Sequence, residues 1–499
     1  MEQEASINIP SSLSREIARR ARWIAEFRTA HSSIWSALDE LVAAVYGVIR
    51  TAVAIPALTL QRAAVVVLWN KVLEYEIAAL FLILSKSADQ ALAAQRLAAE
   101  VAHHCALIGE SEENFLVWQN KQTDADKYRQ TFEFKSSSEG FLAHLMQISS
   151  YYGMHGHQTA HFFLEEQDRM VIDEQEYVVV GRAAKIITSE LQIWVRGFVG
   201  INLGCANALG PSVMSKLRNE IGHIEHIIEL ADQLLLQLDA PNDATSSTNA
   251  KREAAGFILD AWREERRNSF ETFCDEQQTT WEAIEAFVEP VEALIAFNQR
   301  DGGTDHRLFV ITMLWERVLE YQIDAIELVL AKELDVGYTL MRMAAEVVRD
   351  CCRIAESDEN YRLWCDRKSL HEKPEYKSIF CFKRSGPEKS ALDLYNKASY
   401  RGVHSTNHID RELKRFGDAQ LGQLLEPAVT ELEQYEAIKL WLTTFGPMHE
   451  CFVSIFDAQC TELAGIFREM CTAFEPLLKH IAQNLGQMKS EANNARTKS

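Results

Sequence analysis

The chain has 499 residues, 47% of them hydrophobic and 25% charged, with a formal net charge of −21. That length exceeds one ordinary core, so two or more domains are expected. An acidic surface repels phosphate, which disfavours broad nucleic-acid binding and leaves room only for a local basic site. Only 10 prolines and 22 glycines punctuate the chain, a sparse supply of turn formers that predicts long helices.

The opening "MEQEASINIP" is polar and acidic and reads as no signal peptide. The first predicted helix, "SREIARRARWIAEFR", carries Arg15, Arg19, Arg20, Arg22 and Arg28, read as a solvated face. The apolar stretch Leu41 to Trp69 is interrupted by Arg50, Pro56, Gln61 and Arg62. It predicts buried helix rather than a membrane span, and no membrane contact is expected.

Next comes "RLAAEVAHHCALIGESEENFLVW" from Arg96, which reappears as "RMAAEVVRDCCRIAESDENYRLW" from Arg342. At an offset of 246, 12 of the 26 positions from Arg96 to Lys121 are identical. Further words match: "LWNKVLEYEI" from Leu68 with "LWERVLEYQI" from Leu314, and "SYYGMH" from Ser150 with "SYRGVH" from Ser399. Trp194 meets Trp441 and Phe198 meets Phe445. The expectation is a tandem duplication of a unit far larger than a solenoid repeat. The apolar seam Leu97, Val101, Cys105, Ile108, echoed by Met343, Val347, Cys351, Ile354, has helical spacing. Ser111 and Ser357 are the expected N-caps of short following helices. Over Met170 to Gly181 helix is favoured, with a β-hairpin as the alternative.

Between the copies lies "APNDATSSTNA", small and polar, read as a linker. The expected domains are therefore 1–240 and 251–499, with 241–250 joining them, both all-α helical bundles. Of ten cysteines, eight fall in the second half and none forms C-x-x-C. Free, mostly buried thiols and no disulfides are expected, as in a reducing, cytoplasmic compartment.

Three polar sets recur: Arg96 and Glu100 with Arg342 and Glu346; Glu74 and Tyr75 with Glu320 and Tyr321; and Ser150, Tyr151, His155 with Ser399, Tyr400, His404. One reading is structural, a satisfied Arg–Glu–His network that fixes helix packing. The other is a site. Arg offers a cationic fork for phosphate or carboxylate, and His can exchange a proton near neutral pH. In the second copy Arg401 replaces Tyr152, three residues before His404, so that copy is the better armed for metal-independent RNA cleavage. The candidate catalytic residues are Arg342, Glu346, Arg401 and His404, with Arg96, Glu100 and His155 in the first copy.

A third reading is a di-metal carboxylate bundle. It draws on Glu100-x-x-His103 and Glu220-x-x-His223 with Glu76 and Glu190. A further ligand cluster is offered by His155, His157 and His161, against His404, His408 and Asp410 in the second copy. The second copy has Arg349 for His103 and Gln322 for Glu76, so at most one half could serve, and no metal is assigned. Phosphate-cradling glycine loops, G-x-S-x-G and H-E-x-x-H are absent from the sequence, and no cofactor is expected.

"QALAAQRLAAEVAHHCALIG" followed by "SYYGMH" resembles a family of uncharacterised bacterial helical domains with R-x-x-x-E on one helix and a Ser/Tyr…His element on a later one. The resemblance implies roles for Arg96, Glu100, Ser150 and His155, and for Arg342, Glu346, Ser399 and His404, but no activity. A looser similarity is to the HEPN helical superfamily, which includes RNA-cleaving toxins and defence proteins. Its signature separates Arg from His by four to six residues; here two residues separate Arg401 and His404. Two functions stand as expectations. The first is a non-enzymatic binding or regulatory module with a protein partner or self-association. The alternative is a HEPN-like ribonuclease acting on RNA.

Overall fold

A computed structural model describes residues 12–55, 58–121, 123–132, 169–172, 175–178, 184–213, 215, 223–239, 257–301, 305–366, 374–386, 388–399, 429–457 and 460–498. The architecture is all-α. In chain order the helices are α1 (Ser12–Ala30), α2 (Ser32–Val53), α3 (Leu60–Leu84), α4 (Ala88–Glu110), α5 (Glu112–Gln119) and α6 (Ala125–Phe132). After the strand pair β1 (Arg169–Ile172) and β2 (Gln175–Val178) come α7 (Ala184–Ala208) and α8 (His223–Asp239). The later helices are α9 (Ile258–Glu276), α10 (Gln278–Asp301), α11 (His306–Leu330), α12 (Leu334–Glu356), α13 (Asp358–Cys365) and α14 (Pro374–Ile379). The last are α15 (Glu388–Ala398), α16 (Glu431–Phe456), α17 (Thr461–Ala473) and α18 (Glu475–Lys498).

Two compact units emerge. One comprises Met1–Arg22, Asn268–Ala398 and Val429–Ser499; the other comprises Trp23–Arg267 and Ser399–Ala428. Each is thus built mostly from one half of the sequence, and each also takes residues from the other half. In the first unit Arg20 of α1 is 4% exposed. It forms ion pairs with Asp324 and Glu327 of α11 and with Glu16 at 3.0 Å. Of the arginines read as a solvated face, Arg15, Arg19 and Arg22 are exposed, whereas Arg20 is buried because α11 supplies carboxylates to it. In the second unit the matching position, Arg266 of α9, lies over the Phe81 ring at 5.2 Å, and Arg28 pairs with Asp260 at 2.6 Å.

Element bounds repeat at the sequence offset. α1 to α5 begin 246 residues before α9 to α13 and end 246 before them, save α2 and α10 at their C-termini. Within the second unit α3 is central and packs against α2, α4 and α7. Nearly every residue from Ala63 to Leu84 is buried, as the absence of a polar face requires. Within the first unit α11 plays that part against α10, α12 and α16. Each buried Val, Leu or Phe side chain contributes about 1.5–3 kcal/mol to such a core.

The local signals are physical and they repeat too. α3 ends in Lys86 at φ 65° and α11 in Lys332 at φ 65°. The amide of Ser87 then donates to the Leu82 carbonyl at 2.7 Å, and that of Glu333 to Leu328 at 2.8 Å. This left-handed ending satisfies orphan carbonyls and reverses the chain within three residues. The N-caps fall where expected: Ser111 Oγ accepts from the Asn114 amide and Ser357 Oγ from the Asn360 amide, both at 3.1 Å.

Met170 to Gly181 departs from the favoured helix. Arg169–Ile172 pairs antiparallel with Gln175–Val178, Ile172 opposite Gln175. The β-branched Val171, Ile172 and Val178 fit a pleated ribbon better than a helical turn. The apolar run Leu41–Trp69 is two helices, with Thr59 capping the second. By length and composition α2 is apolar enough to cross a membrane; 44% of its apolar window is buried inside the protein. All ten cysteines are free thiols, including Cys351 and Cys352.

Candidate functional site

The repeated Arg–Glu pair forms in both copies, because four residues on a helix place two side chains one above the other. In the first unit Arg342 Nη2 lies 3.1 Å from Glu346, with side chains 12% and 3% exposed. The Tyr395 ring, from α15, sits 5.1 Å from the guanidinium. Burial opposes the Arg342 charge, but the Glu346 carboxylate and Tyr395 hydroxyl outweigh it, so its pKa lies above the ordinary guanidinium value. The same face of α12 carries two more arginines. Arg349 donates Nε and Nη2 to Asp350 at 2.8 and 2.7 Å and lies over Phe382 at 5.2 Å. Burial opposes its charge, and Asp350 and Glu346 prevail and raise its pKa. Arg353, 3% exposed, pairs with Glu388 and Glu356 and donates to the Cys381 carbonyl at 3.2 Å. Three guanidiniums thus meet four carboxylates, a neutralised stripe with no excess positive charge to hold an anion.

In the second unit the counterpart is looser. Arg96 Nη1 is 3.5 Å from Glu100, with side chains 16% and 19% exposed. His103 stands where the other copy has Arg349; burial and the nearby Arg96 charge both lower its pKa. His104, 3% exposed, has Nε2 3.4 Å from the Tyr128 hydroxyl and its ring edge-on to Phe132.

Sequence reasoning missed a second repeated pair. Trp69 Nε1 donates to Asn202 Oδ1 at 2.8 Å, and Trp315 Nε1 donates to His449 Nδ1 at 2.8 Å. The aligned tryptophans Trp194 and Trp441 donate to the carbonyls of Glu76 and Gln322 at 2.8 and 2.9 Å. The clue lay in the shared spacing of Trp69 and Asn202 with Trp315 and His449, but the two acceptors differ in type. His449 is fully buried, and burial pushes its pKa down to about 3, so it is neutral and accepts through Nδ1. Beside Asn202 the core leaves a small hollow lined by Val48, Trp69, Leu203, Ala206 and Ile227.

Glu76 is completely buried, and burial raises its pKa well above the usual carboxylate range, with Gln95 opposing. The raised pKa favours the neutral carboxyl, which has nearly the shape of the Gln322 amide at the matching position. That is a poor start for a metal ligand, which must be ionised. Among the described residues no group of three His, Cys, Asp or Glu side chains could hold a metal ion. Glu220 lies outside the described residues, as does the His223 side chain.

Of the predicted set, Arg342 with Glu346 and Arg96 with Glu100 come together. Ser399 directly follows α15, its Oγ buried and without a hydrogen bond. Ser150, Tyr151, His155, His157, His161, Tyr400, Arg401, His404, His408 and Asp410 lie outside the described residues. No protein-family model, curated protein or solved structure matches the chain.

Proposed function

We propose that the chain is a tandem duplication of a helical-bundle unit and serves as a cytoplasmic binding or regulatory module, with the repeated Arg–Glu pairs structural. One observation carries this. On α12 the Arg342–Glu346 pair is almost closed to solvent, roofed by Tyr395, and flanked by arginines that already have carboxylates. Groups so paired hold helices in register and have little left to offer a substrate. The partner is a protein, either another chain or a second copy.

The HEPN-like ribonuclease and the resembled bacterial helical family are tested by the same experiment. His404→Ala is assayed for thermal melting and for cleavage of a mixed RNA substrate, beside wild type. In a structural module neither protein cleaves RNA. Cleavage by wild type that His404→Ala abolishes, at unchanged melting temperature, makes the protein a nuclease and overturns the module.

A further inference from the structure

At the junction of α11 and α13 the first unit carries three reactive side chains that its counterpart lacks. His306 Nδ1 lies 2.6 Å from the Tyr361 hydroxyl. Tyr361 is also hydrogen-bonded to Cys365, one turn further along α13. The matching residues of the other copy are Leu60, Phe115 and Gln119, of which two have no polar atom. This cluster is therefore an addition to the shared scaffold. It is also accessible: His306 is exposed, and Tyr361 and Cys365 are partly so.

We propose that Cys365 is a nucleophilic thiol, its proton relayed through Tyr361 to His306, and that it takes low-molecular-weight disulfides. The thiol donates to the Tyr361 oxygen while the Tyr361 hydroxyl donates to His306 Nδ1. When both protons shift along the chain, Cys365 becomes a thiolate and His306 an imidazolium, and Tyr361 stays neutral throughout. The thiolate attacks one sulfur of the disulfide. A Cys365–sulfur bond forms, the disulfide's own bond breaks, and the departing thiolate takes the proton held on His306. No outside oxidant is required, since the disulfide supplies the oxidising equivalents.

The groups around the cluster suit that charge separation. Burial and the neighbouring Cys365 hold the Tyr361 hydroxyl well above the ordinary tyrosine pKa, with Asp305 adding to the effect. The hydroxyl therefore passes a proton without keeping a charge. Asp305, the N-cap of α11, accepts from the Arg307 and Leu308 amides at 2.9 and 3.3 Å. Its carboxylate counters the helix dipole that would otherwise oppose a cationic His306 at the first turn. Arg307 is occupied by Asp358 at 3.2 Å, and Asp366 follows Cys365 in the chain.

The protein holds its own reference. Cys381 is the more exposed thiol, and its sulfur donates to the Ser378 carbonyl at 3.1 Å. For thiols near neutral pH, each unit of lowered pKa gives tenfold more thiolate and about threefold lower intrinsic nucleophilicity, a net gain of about threefold. Full-length protein is pulsed with an aromatic disulfide from pH 6 to pH 9, and mixed disulfides are mapped by peptide mass spectrometry. Cys365 should be labelled about threefold or more faster than Cys381 at pH 7, with the gap closing toward pH 9. Tyr361→Phe and His306→Leu, the residues of the other copy, should each bring Cys365 down to the Cys381 rate. Wild-type Cys365 that reacts no faster than Cys381 overturns the proposal, and so do variants that keep the fast rate. Should a variant melt early, the wild-type comparison across pH still decides.

Discussion

The two Arg–Glu pairs occupy matching positions on α4 and α12, yet their surroundings differ. Glu346 is 3% exposed and Glu100 19%. At the Arg342 pair an aromatic ring closes over the guanidinium; beside Arg96 stands His103, whose pKa burial and the Arg96 charge lower. The same contrast runs through the tryptophan pairs, where an amide accepts in one unit and a buried imidazole in the other. The lesson is that a matched polar position preserves a hydrogen-bonding duty while the electrostatic cost of that duty drifts.

The largest test of this difference is truncation of the arginines. Arg342→Ala leaves Glu346 buried and without its guanidinium, and should cost roughly 3–5 kcal/mol. Arg96→Ala, at a pair held at 3.5 Å with side chains 16% and 19% exposed, should cost less, because Glu100 keeps more contact with water than Glu346. Chemical denaturation of both variants reads the gap. Equal losses would mean that the two pairs are energetically alike, and the contrast drawn from burial would fail.

Next is the acceptor swap, His449→Asn. Native His449 stays neutral down to about pH 3, whereas an unfolded histidine takes a proton near 6.5. Its stabilising contribution is therefore complete above about pH 6.5 and is lost as pH falls toward 3. Between pH 7 and pH 5 the loss is about 2 kcal/mol. Asparagine, as at Asn202, does not titrate, so the variant should lose about 2 kcal/mol less over that range. Parallel pH profiles for variant and wild type would show that His449 is protonated in the folded protein.

A third test is Glu76→Gln. The folded Glu76 pKa is raised, so its contribution is present below the unfolded value near 4.5 and is lost as pH rises toward the folded pKa. At pH 7 the glutamine variant, matching Gln322, should melt higher than wild type, and the advantage should shrink toward pH 4. A lower melting temperature at pH 7 would indicate an ionised, stabilising Glu76.

Much of the fold was legible because its causes are local. The seam at Leu97, Val101, Cys105 and Ile108 has helical period, and Ser111 and Ser357 sit where a cap must. The site was half legible. Arg–Glu spacing brings Arg342 to Glu346 on any helix, but Arg353 meets Glu388 across 35 residues, and no periodicity reports such a pair. The hairpin at Arg169–Val178 was mistaken because a short apolar run suits strand and helix alike. Arg20 was misread because nothing near it in sequence shows the Asp324 and Glu327 that bury it.

That last contact has a consequence for synthesis. Arg20 hydrogen-bonds Glu327, which lies 307 residues further along the chain. At ribosomal speeds of 5–20 residues per second the wait is roughly 15–60 s, long compared with the microseconds in which a helix forms. For that time the first turns of α1 have emerged and the carboxylates that cover them do not yet exist. Arg20, which ends up buried, must meanwhile help keep the nascent segment hydrated, a task for which a leucine at the same position would be unsuited.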